Sequence, residues 1–344
     1  MQYTNVCLHE FGYVLPPVVL TSAALEEQLK PVYDRLKLPA GRLELMTGIS
    51  ARRLWQPGTR PSEGAAQAGA LALAKANVPA RDISCLIFTS VSRDMMEPAT
   101  ASFVHSRLEL PASCLLFDIS NACLGFLDGM IMLANMIELG QVETGLVVAG
   151  ETAEDLIAST VAHLVADTAL TRKTIKPLFA SLTIGSGAVA LVMSSRRYRD
   201  TGHFLSGGAF YANTRYNTLC QGGQNAEQGT LMSTDSEQLL EKGIETAADC
   251  WRAFLENLAW HPESIDRYFC HQVGKAHAQR LLESLQLDPA KNFETLPHLG
   301  NVGSVSAPIT LALGLEQGQL KPGQRGAILG IGSGINTLML GIDW

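Results

Sequence analysis

The sequence lacks the features of several protein classes, and each missing feature argues against one of them. Its seven cysteines are odd in number and form no CxxC pair, which disfavours a disulfide framework or a zinc site and fits a reducing cytoplasm. Apolar runs fall short of the roughly 18–20 residues of a membrane span, and no basic segment leads into a long apolar block as in a signal peptide. We therefore expect a cytoplasmic protein with no bound metal and no integral membrane association.

Positive charge is also scarce. The chain has 26 Lys and Arg against 33 Asp and Glu, a net charge of −7, whereas a nucleic-acid surface is normally basic. Hydrophobic residues make up 47% and charged residues 17%, a balance that suits a large buried core rather than disorder. At 344 residues the chain is long enough for two domains or one duplicated domain. An acidic carrier protein stays open as a partner if basic residues cluster locally.

One segment reads as a buried strand, a tight loop and then a helix with a cysteine at its start. The apolar run Leu115–Phe117 is strand-like, and apolar residues recur at three- and four-residue steps over Leu124–Ile137 before a stop at Gly140. Cys123 is thus expected near the N–H groups and the positive dipole of a helix start, which favours the reactive thiolate. Taken alone, the segment favours the alternative of a buried, inert cysteine, a common fate for this residue type.

The second half of the chain echoes the first. The sequence IGSG occurs once in each half, and ELGQ recurs as EQGQ. The offset between Glu138 and Glu316 is 178 residues (316 − 138), and the same offset carries Cys123 onto Asn301 (123 + 178 = 301). This repeat predicts an α/β fold in which one βα-rich unit is used twice and the two reactive helix starts meet.

Local patterns predict further elements in both halves. They are strands over 182–193, 264–271 and 293–296, a pocket-covering helical segment over 151–176, and a long helix over 236–258.

Four motifs resemble the thiolase superfamily and, within it, the ketoacyl synthase III branch. In chain order they are Asn121-Ala122-Cys123 before a helix, His271-Gln272 after a strand, Asn301-Val302-Gly303 thirty residues later (301 − 271 = 30), and Gly332-Ser333-Gly334. Each motif is weak singly, but their order and spacing resemble the family over essentially the whole chain. The resemblance implies a layered αβαβα fold with two mixed sheets around buried helices. It also implies two thiolase-like halves, 1–195 and 196–344, and a homodimer.

The resemblance implies a Claisen condensation of acyl thioesters and a role for each motif. Cys123 would hold the acyl group covalently, and the backbone N–H groups of Cys123 and Ser333 would stabilise its oxyanion. His271 and Asn301 would donate to the enolate of the second substrate. In isolation, His271 reads as a hydrogen-bonded histidine at a strand end. Six other histidines have no such context and are expected to be structural or on the surface: His105, His163, His203, His261, His277 and His298.

Within this branch the chain looks like the OleA-like enzymes, which join two fatty acyl chains head to head. The likeness lies in TSVSRDMMEPATAS, ISARRLW, NACLGF and LGIGSGIN. It implies that Glu97 reaches the partner subunit's active site and removes a proton there as a general base. The alternative is that Glu97 caps the following helix, because Pro98 suits a first helical position.

One departure from the family concerns coenzyme A. Chain-initiating ketoacyl synthases clamp its adenine with an aromatic residue and an arginine, but the matching positions here are Arg42 and Met46. Acyl-CoA is the expected substrate, delivery by an acyl carrier protein stays possible, and no cofactor is expected. Five methionines either line an acyl tunnel or fill the core: Met95, Met96, Met130, Met132 and Met136.

Three other functions compete with this prediction. A decarboxylating ketoacyl synthase III that uses malonyl-carrier protein needs the same cysteine, histidine and asparagine. A catalytically silent subunit has no chemical reason to keep all three. A nucleotide-binding dehydrogenase is disfavoured, because neither IGSG turn is a GxGxxG motif between a strand and a helix.

Overall fold

The computed structural model describes residues 1–225 and 229–344. Its strands are β1 (Val6–Val14), β2 (Val18–Thr21), β3 (Ala51–Leu54), β4 (Cys85–Phe88), β5 (Leu115–Asp118), β6 (Thr144–Glu151), β7 (Gly187–Ser195), β8 (Phe204–Ala212), β9 (Cys220–Asn225), β10 (Gly229–Thr234), β11 (Arg267–Cys270), β12 (Arg325–Gly332) and β13 (Asn336–Asp343). Its α-helices are α1 (Ser22–Gln28), α2 (Lys30–Leu36), α3 (Arg42–Thr47), α4 (Pro61–Ala76), α5 (Thr100–Arg107), α6 (Gly125–Glu138), α7 (Glu154–Ala166), α8 (Ser236–Leu258), α9 (Lys275–Ser284), α10 (Leu296–Leu299) and α11 (Ser306–Glu316).

Nine strands form one mixed sheet in the order β11-β12-β13-β8-β1-β7-β6-β4-β5. The predicted α/β fold is confirmed, and the sheets of the two halves are continuous because Cys7 of β1 pairs with Phe204 of β8. On either side of this junction the pairing is the same. Strands β4 and β6 are parallel, as are β11 and β12, while the pairs closer to the junction are antiparallel. The second half thus repeats the first half without its outermost strand.

The sequence predicted a strand over Phe293–Leu296, where the second half lacks its outermost strand. This prediction is wrong. The side chain of Gln272 takes the hydrogen bonds that a neighbouring strand would have made. Its Oε1 accepts the N–H groups of Thr295 and Leu296 at 3.0 and 2.9 Å, and its Nε2 donates to the carbonyl of Phe293 at 2.8 Å. The segment pairs with β11 only at its start, where the N–H of Phe293 donates to the carbonyl of Tyr268 at 3.2 Å. Since the following backbone groups are satisfied by Gln272, the segment then turns into α10.

The other predicted elements are found, with changed ends. The helix predicted over Ser236–Leu258 is α8, the strand predicted over 264–271 is β11, and the helical segment over 151–176 contains α7. The strand predicted over Leu182–Met193 begins only at Gly187, and Lys176–Thr183 forms a 3₁₀ helix before it. Between them, the N–H of Gly185 donates to the carbonyl of Asn301 at 2.8 Å. Thus one IGSG turn pairs with the segment that carries the predicted catalytic asparagine.

Helices α6 and α11 are the central buried helices, and they position the site. Apolar side chains of both belong to one core cluster with strands from both halves of the sheet. Cys123 precedes α6 and Asn301 precedes α11, so each candidate residue lies just before a buried helix. A Cβ placed on Gly125, the first residue of α6, would lie 3.6 Å from the Cβ of Ser304. The two helix starts therefore face each other. Among the described residues, every helix is too short or too polar to cross a bilayer.

Candidate active site

Cys123 lies in the tight turn between β5 and α6. The carbonyl of Asn121 accepts the N–H of Leu124 at 2.9 Å. Ala122 has a left-handed backbone with φ 46°, a conformation that costs a non-glycine residue free energy and is concentrated at functional sites. Because α6 begins at Gly125, the cysteine lies before the helix rather than in its first turn.

The prediction that this position favours the thiolate is wrong. The pKa of the Cys123 thiol is raised to about 12, chiefly by burial, and the negative charges of Glu151 and Cys220 raise it further. The N–H groups of the helix start do not outweigh an enclosed site with a carboxylate facing it. The Cys123 side chain is therefore a thiol at pH 7.

The glycine-rich turn before β13 lies against the nucleophile. A Cβ placed on Gly332 would lie 3.7 Å from the amide nitrogen of Cys123. The Asn336 side chain donates to Asn121 Oδ1 at 3.2 Å and to the carbonyl of Ser333 at 3.3 Å. These contacts bring Ser333 beside the loop of Cys123, as the predicted oxyanion site requires.

His271 follows β11, and its imidazole is buried without a partner. Its backbone N–H donates to the carbonyl of Leu329 at 2.8 Å, and the residue is 9% exposed. Within the described residues, neither ring nitrogen has a hydrogen-bond partner. Burial lowers the pKa of His271 to about 4, with His277 contributing, so the ring is neutral at pH 7. A buried polar group without a partner costs about 1–3 kcal/mol, which points to a ligand that completes it.

Asn301 is also buried, and its amide is oriented as a donor. Its Oδ1 accepts the N–H of Gly303 at 3.1 Å and the hydroxyl of Ser306 at 3.4 Å. Its backbone N–H donates to the carbonyl of Thr183 at 2.9 Å. With the amide oxygen held by two donors, the nitrogen is the end that can serve a substrate oxygen.

Glu151, the last residue of β6, is a site residue that the motifs did not indicate. Its carboxylate is buried and accepts hydrogen bonds from Val91, Ser92 and Ser304, and its charge acts on the Cys123 thiol. The sequence feature that could have indicated Glu151 is an acid at the end of the apolar run TGLVVAG. A charged group at the end of a buried strand requires hydrogen-bond or charge partners.

Glu97 occupies an exposed loop rather than this buried cluster. Asp94 in the same loop accepts the N–H and the hydroxyl of Ser62 at 2.9 and 2.6 Å. Beyond this anchor the loop extends into solvent, where Glu97 is exposed and Met96 is 96% exposed. The structure therefore places Ser333 beside the loop of Cys123 and buries His271 and Asn301, while it leaves the predicted acid exposed.

The alternative reading of Glu97 as a helix cap is wrong. Helix α5 begins at Thr100, and the N–H groups of Thr100 and Ala101 both donate to Asp118 at 2.8 Å. The carboxylate at the end of β5 thus satisfies the helix start.

The methionines and the clamp positions differ in their surroundings. Met130 is fully buried in the main core, so it fills the core as one reading predicted. Met132 and Met95 are exposed, at 43% and 39%. On α3, Met46 is 47% exposed and Arg42 is half-buried.

Comparison with protein families gives matches in both halves. The family of 3-oxoacyl-[acyl-carrier-protein] synthase III matches residues 117–207, and its C-terminal family matches residues 255–344. Acyl-CoA:acyl-CoA alkyltransferases from Shewanella oneidensis and Xanthomonas campestris are each 38% identical to this chain, and each match covers 100% of both proteins.

Solved structures agree. An OleA variant from Xanthomonas campestris with a glutamate replaced by alanine has a TM-score of 0.95 and 38% identity, over 100% of this chain and 99% of that one. A cysteine-to-serine OleA with bound lauric acid and lauroyl-CoA has a TM-score of 0.94 and 37% identity, over 99% and 100%. The predicted acyltransferase of the ketoacyl synthase III type is confirmed. The chain belongs to the thiolase superfamily, in the OleA-like group of the ketoacyl synthase III branch.

Proposed function

We propose that this protein joins two acyl chains, each supplied as an acyl-CoA thioester, head to head through an acyl-cysteine intermediate. The observation that carries the proposal is the buried imidazole of His271, which has no hydrogen-bond partner among the described residues, with Asn301 held as a donor and Cys123 before α6 as the predicted nucleophile. The alkyltransferases of Shewanella oneidensis and Xanthomonas campestris are named for the acyl-CoA:acyl-CoA reaction. The alternative is a decarboxylating reaction with malonyl-carrier protein.

In the first half-reaction the sulfur of Cys123 attacks the thioester carbonyl. The bond from that carbon to the CoA sulfur breaks, and the proton of the thiol ends on the departing CoA. Because the pKa of Cys123 is raised, this proton moves during the attack, and the neutral imidazole of His271 is suited to carry it. The backbone N–H groups of Cys123 and Ser333 stabilise the tetrahedral oxyanion, and a donor of this kind is worth roughly 3–4 kcal/mol.

In the second half-reaction an α-proton is removed from another acyl-CoA. His271 and Asn301 donate to the resulting enolate oxygen, as two groups that are neutral at pH 7. The α-carbon then attacks the acyl-cysteine carbonyl, a carbon–carbon bond forms, and Cys123 is released. Hydrolysis of the remaining thioester yields a β-keto acid.

The base for this α-proton is Glu97 of a second copy of the chain in a homodimer. A general base needs burial to raise its pKa, and Glu97 is exposed in the single chain. In OleA of Xanthomonas campestris, the substituted glutamate and the substituted cysteine of two solved structures are 26 positions apart. Glu97 and Cys123 have the same separation (123 − 97 = 26).

The surface beside this loop supports the homodimer. Strand β5 is an edge strand of the nine-stranded sheet, and its Leu115 is 50% exposed. An exposed edge with an apolar side chain is suited to pairing with another chain. The proposal also includes two thiolase-like halves, 1–195 and 196–344, and a cytoplasmic location, where reducing conditions keep the nucleophile free.

A direct test uses the purified protein with two acyl-CoAs of different chain length and mass spectrometry. We expect acylation of Cys123 and head-to-head products without malonyl-CoA. Cys123→Ala should abolish both, whereas Cys220→Ala, which removes the other half-buried thiol, should retain them. A strict requirement for malonyl thioester would refute the proposed substrate pair and favour the decarboxylating alternative.

A further inference from the structure

The buried carboxylate of Glu151 lies between the loop that carries Glu97 and the segment that carries Asn301, and it has no role in the chemistry above. Glu151 is 5% exposed. Its Oε1 accepts the N–H groups of Val91 and Ser304 at 3.0 and 3.3 Å, and its Oε2 accepts the N–H and the hydroxyl of Ser92 at 3.0 and 2.7 Å. All four of these donors are neutral, so the carboxylate gains hydrogen bonds but no opposite charge from them.

The charge of Glu151 is not explained by stability. Burial raises its pKa more than the hydrogen bonds from Ser92, Val91 and Ser304 lower it. An acid whose pKa is higher in the folded than in the unfolded state destabilises the fold where it is ionised, at pH values above the unfolded pKa. A neutral side chain would avoid this cost, so the reason for the charge lies in the groups that the carboxylate connects.

The groups bound by Glu151 belong to separate catalytic segments. Val91 and Ser92 begin the loop that carries Glu97. Ser304 lies three residues after Asn301 and contacts the start of α6. Gly303 leaves room for the carboxylate, because a Cβ there would lie 3.1 Å from its Cδ.

We propose that Glu151 is a positioning residue for the condensation, which holds the Glu97 loop and the Asn301 segment in one fixed relation to Cys123. This inference rests on the proposed function, because the loop matters for catalysis only if Glu97 acts as a base. The Ser92 end of the loop then lies in the site of its own chain, while Glu97 serves the site of the partner subunit. A change at Glu151 therefore alters both active sites of the dimer.

Glu151→Gln changes both the hydrogen bonds and the charge of this side chain. One carboxylate oxygen becomes an NH₂ group, which cannot accept, so the two hydrogen bonds made at that oxygen are lost and the hold on the segments is weakened. The negative charge that faces Cys123 is also removed, and the remaining titratable group acting on the thiol is Cys220. The condensation should slow because the segments move, and Cys123 should ionise at lower pH because the charge is gone.

The experiment compares Glu151→Gln with the control Glu154→Gln in the full-length protein. Glu154 is a nearby acid whose Oε1 accepts the Ser186 hydroxyl at 2.9 Å and the Trp55 N–H. Two quantities are measured: the rate of alkylation of Cys123 by iodoacetamide across pH, read by peptide mass spectrometry, and the kcat and KM of condensation.

In Glu151→Gln we expect faster alkylation at pH 8, about tenfold for each unit by which the thiol pKa falls. Condensation kcat should fall on the order of 100-fold, while acylation of Cys123 by acyl-CoA remains. Glu154→Gln should keep the wild-type alkylation profile and kcat. Wild-type kcat in Glu151→Gln, or an equal loss in Glu154→Gln, would overturn the proposal.

If Glu151→Gln does not fold, Glu151→Asp carries the test. It keeps the charge but shortens the side chain, so the alkylation profile should stay close to wild type while condensation falls. Wild-type condensation in Glu151→Asp would contradict the positioning role. Failure of the wild-type protein to condense acyl-CoA would instead contradict the proposed function, and the alkylation profiles, which need no acyl-CoA, would be unaffected.

Discussion

Within a single chain, the two donor side chains of the candidate site are buried, whereas the acid assigned to the site is exposed to solvent. His271 and Asn301 are buried and held by backbone hydrogen bonds, and the amide of Asn301 is oriented by Gly303 and Ser306. Glu97 lies on a loop that is anchored through Ser92 and Asp94 but extends into solvent. A single chain therefore buries the groups that the proposal assigns to the enolate oxygen. The group that starts the second half-reaction needs a second copy.

The largest expected effect separates these two parts directly. Glu97→Ala should leave acylation of Cys123 intact and reduce condensation about 10²–10⁴-fold, the usual contribution of a general base. Glu10→Ala, which removes another exposed acid, is the matched control and should condense normally.

Mixing inactive variants sharpens this prediction. Mixed dimers of Glu97→Ala and Cys123→Ala subunits contain one site with both groups, if the acid acts across the interface. Random exchange should recover roughly a quarter of wild-type activity, because about half of the dimers are mixed and each has one working site. Lack of recovery after confirmed subunit exchange would place Glu97 in its own chain's site.

A smaller effect is expected on the buried side of the comparison. His271→Ala should lower condensation about 10²–10³-fold, as for the loss of one charge-stabilising donor. Its melting temperature should change little, since removing an unpartnered buried polar group offsets the cavity that alanine leaves. Calorimetry checks the second expectation, and a large loss of stability would show that the imidazole has a structural partner.

The same variant tests the neutral state of His271. Because its pKa is lowered from 6.5 to about 4, the unfolded chain binds more protons between these pH values, and wild-type stability rises with pH there. The free energy of unfolding of wild type, relative to that of His271→Ala, should rise by about 3 kcal/mol from pH 4 to pH 7. Urea unfolding at several pH values measures it, and a constant difference would mean that the ring titrates normally.

The smallest effect concerns the backbone segment that precedes Asn301. Gln272→Ala removes three hydrogen bonds from the segment after Asn292 and should destabilise the fold by about 2 kcal/mol. Hydrogen exchange should rise at Thr295 and Leu296 in particular. Unchanged exchange there would show that the backbone of this segment is held by other groups.

Local sequence predicted those features that depend on neighbours along the chain. The turn at Cys123, helix α8 and the strand before His271 all follow from periodicity and from turn or cap residues within a few positions. The repeat predicted that Cys123 and Asn301 occupy equivalent places, and each precedes a central helix. The strand predicted over 293–296 failed because Gln272, more than twenty residues earlier, supplies its hydrogen bonds.

By itself, the sequence determined the α/β class and the duplicated plan, and it predicted the nucleophile and its two donors, since motif order and spacing are properties of the chain. Only the tertiary structure decided the protonation states. Burial and the facing charge of Glu151 raise the pKa of Cys123, and burial lowers that of His271. It also decided that Glu151 accepts hydrogen bonds from both Ser92 and Ser304 and that Glu97 is exposed. These properties depend on which groups surround a side chain in space, and such groups lie up to 153 positions apart in the chain, as Ser304 and Glu151 do.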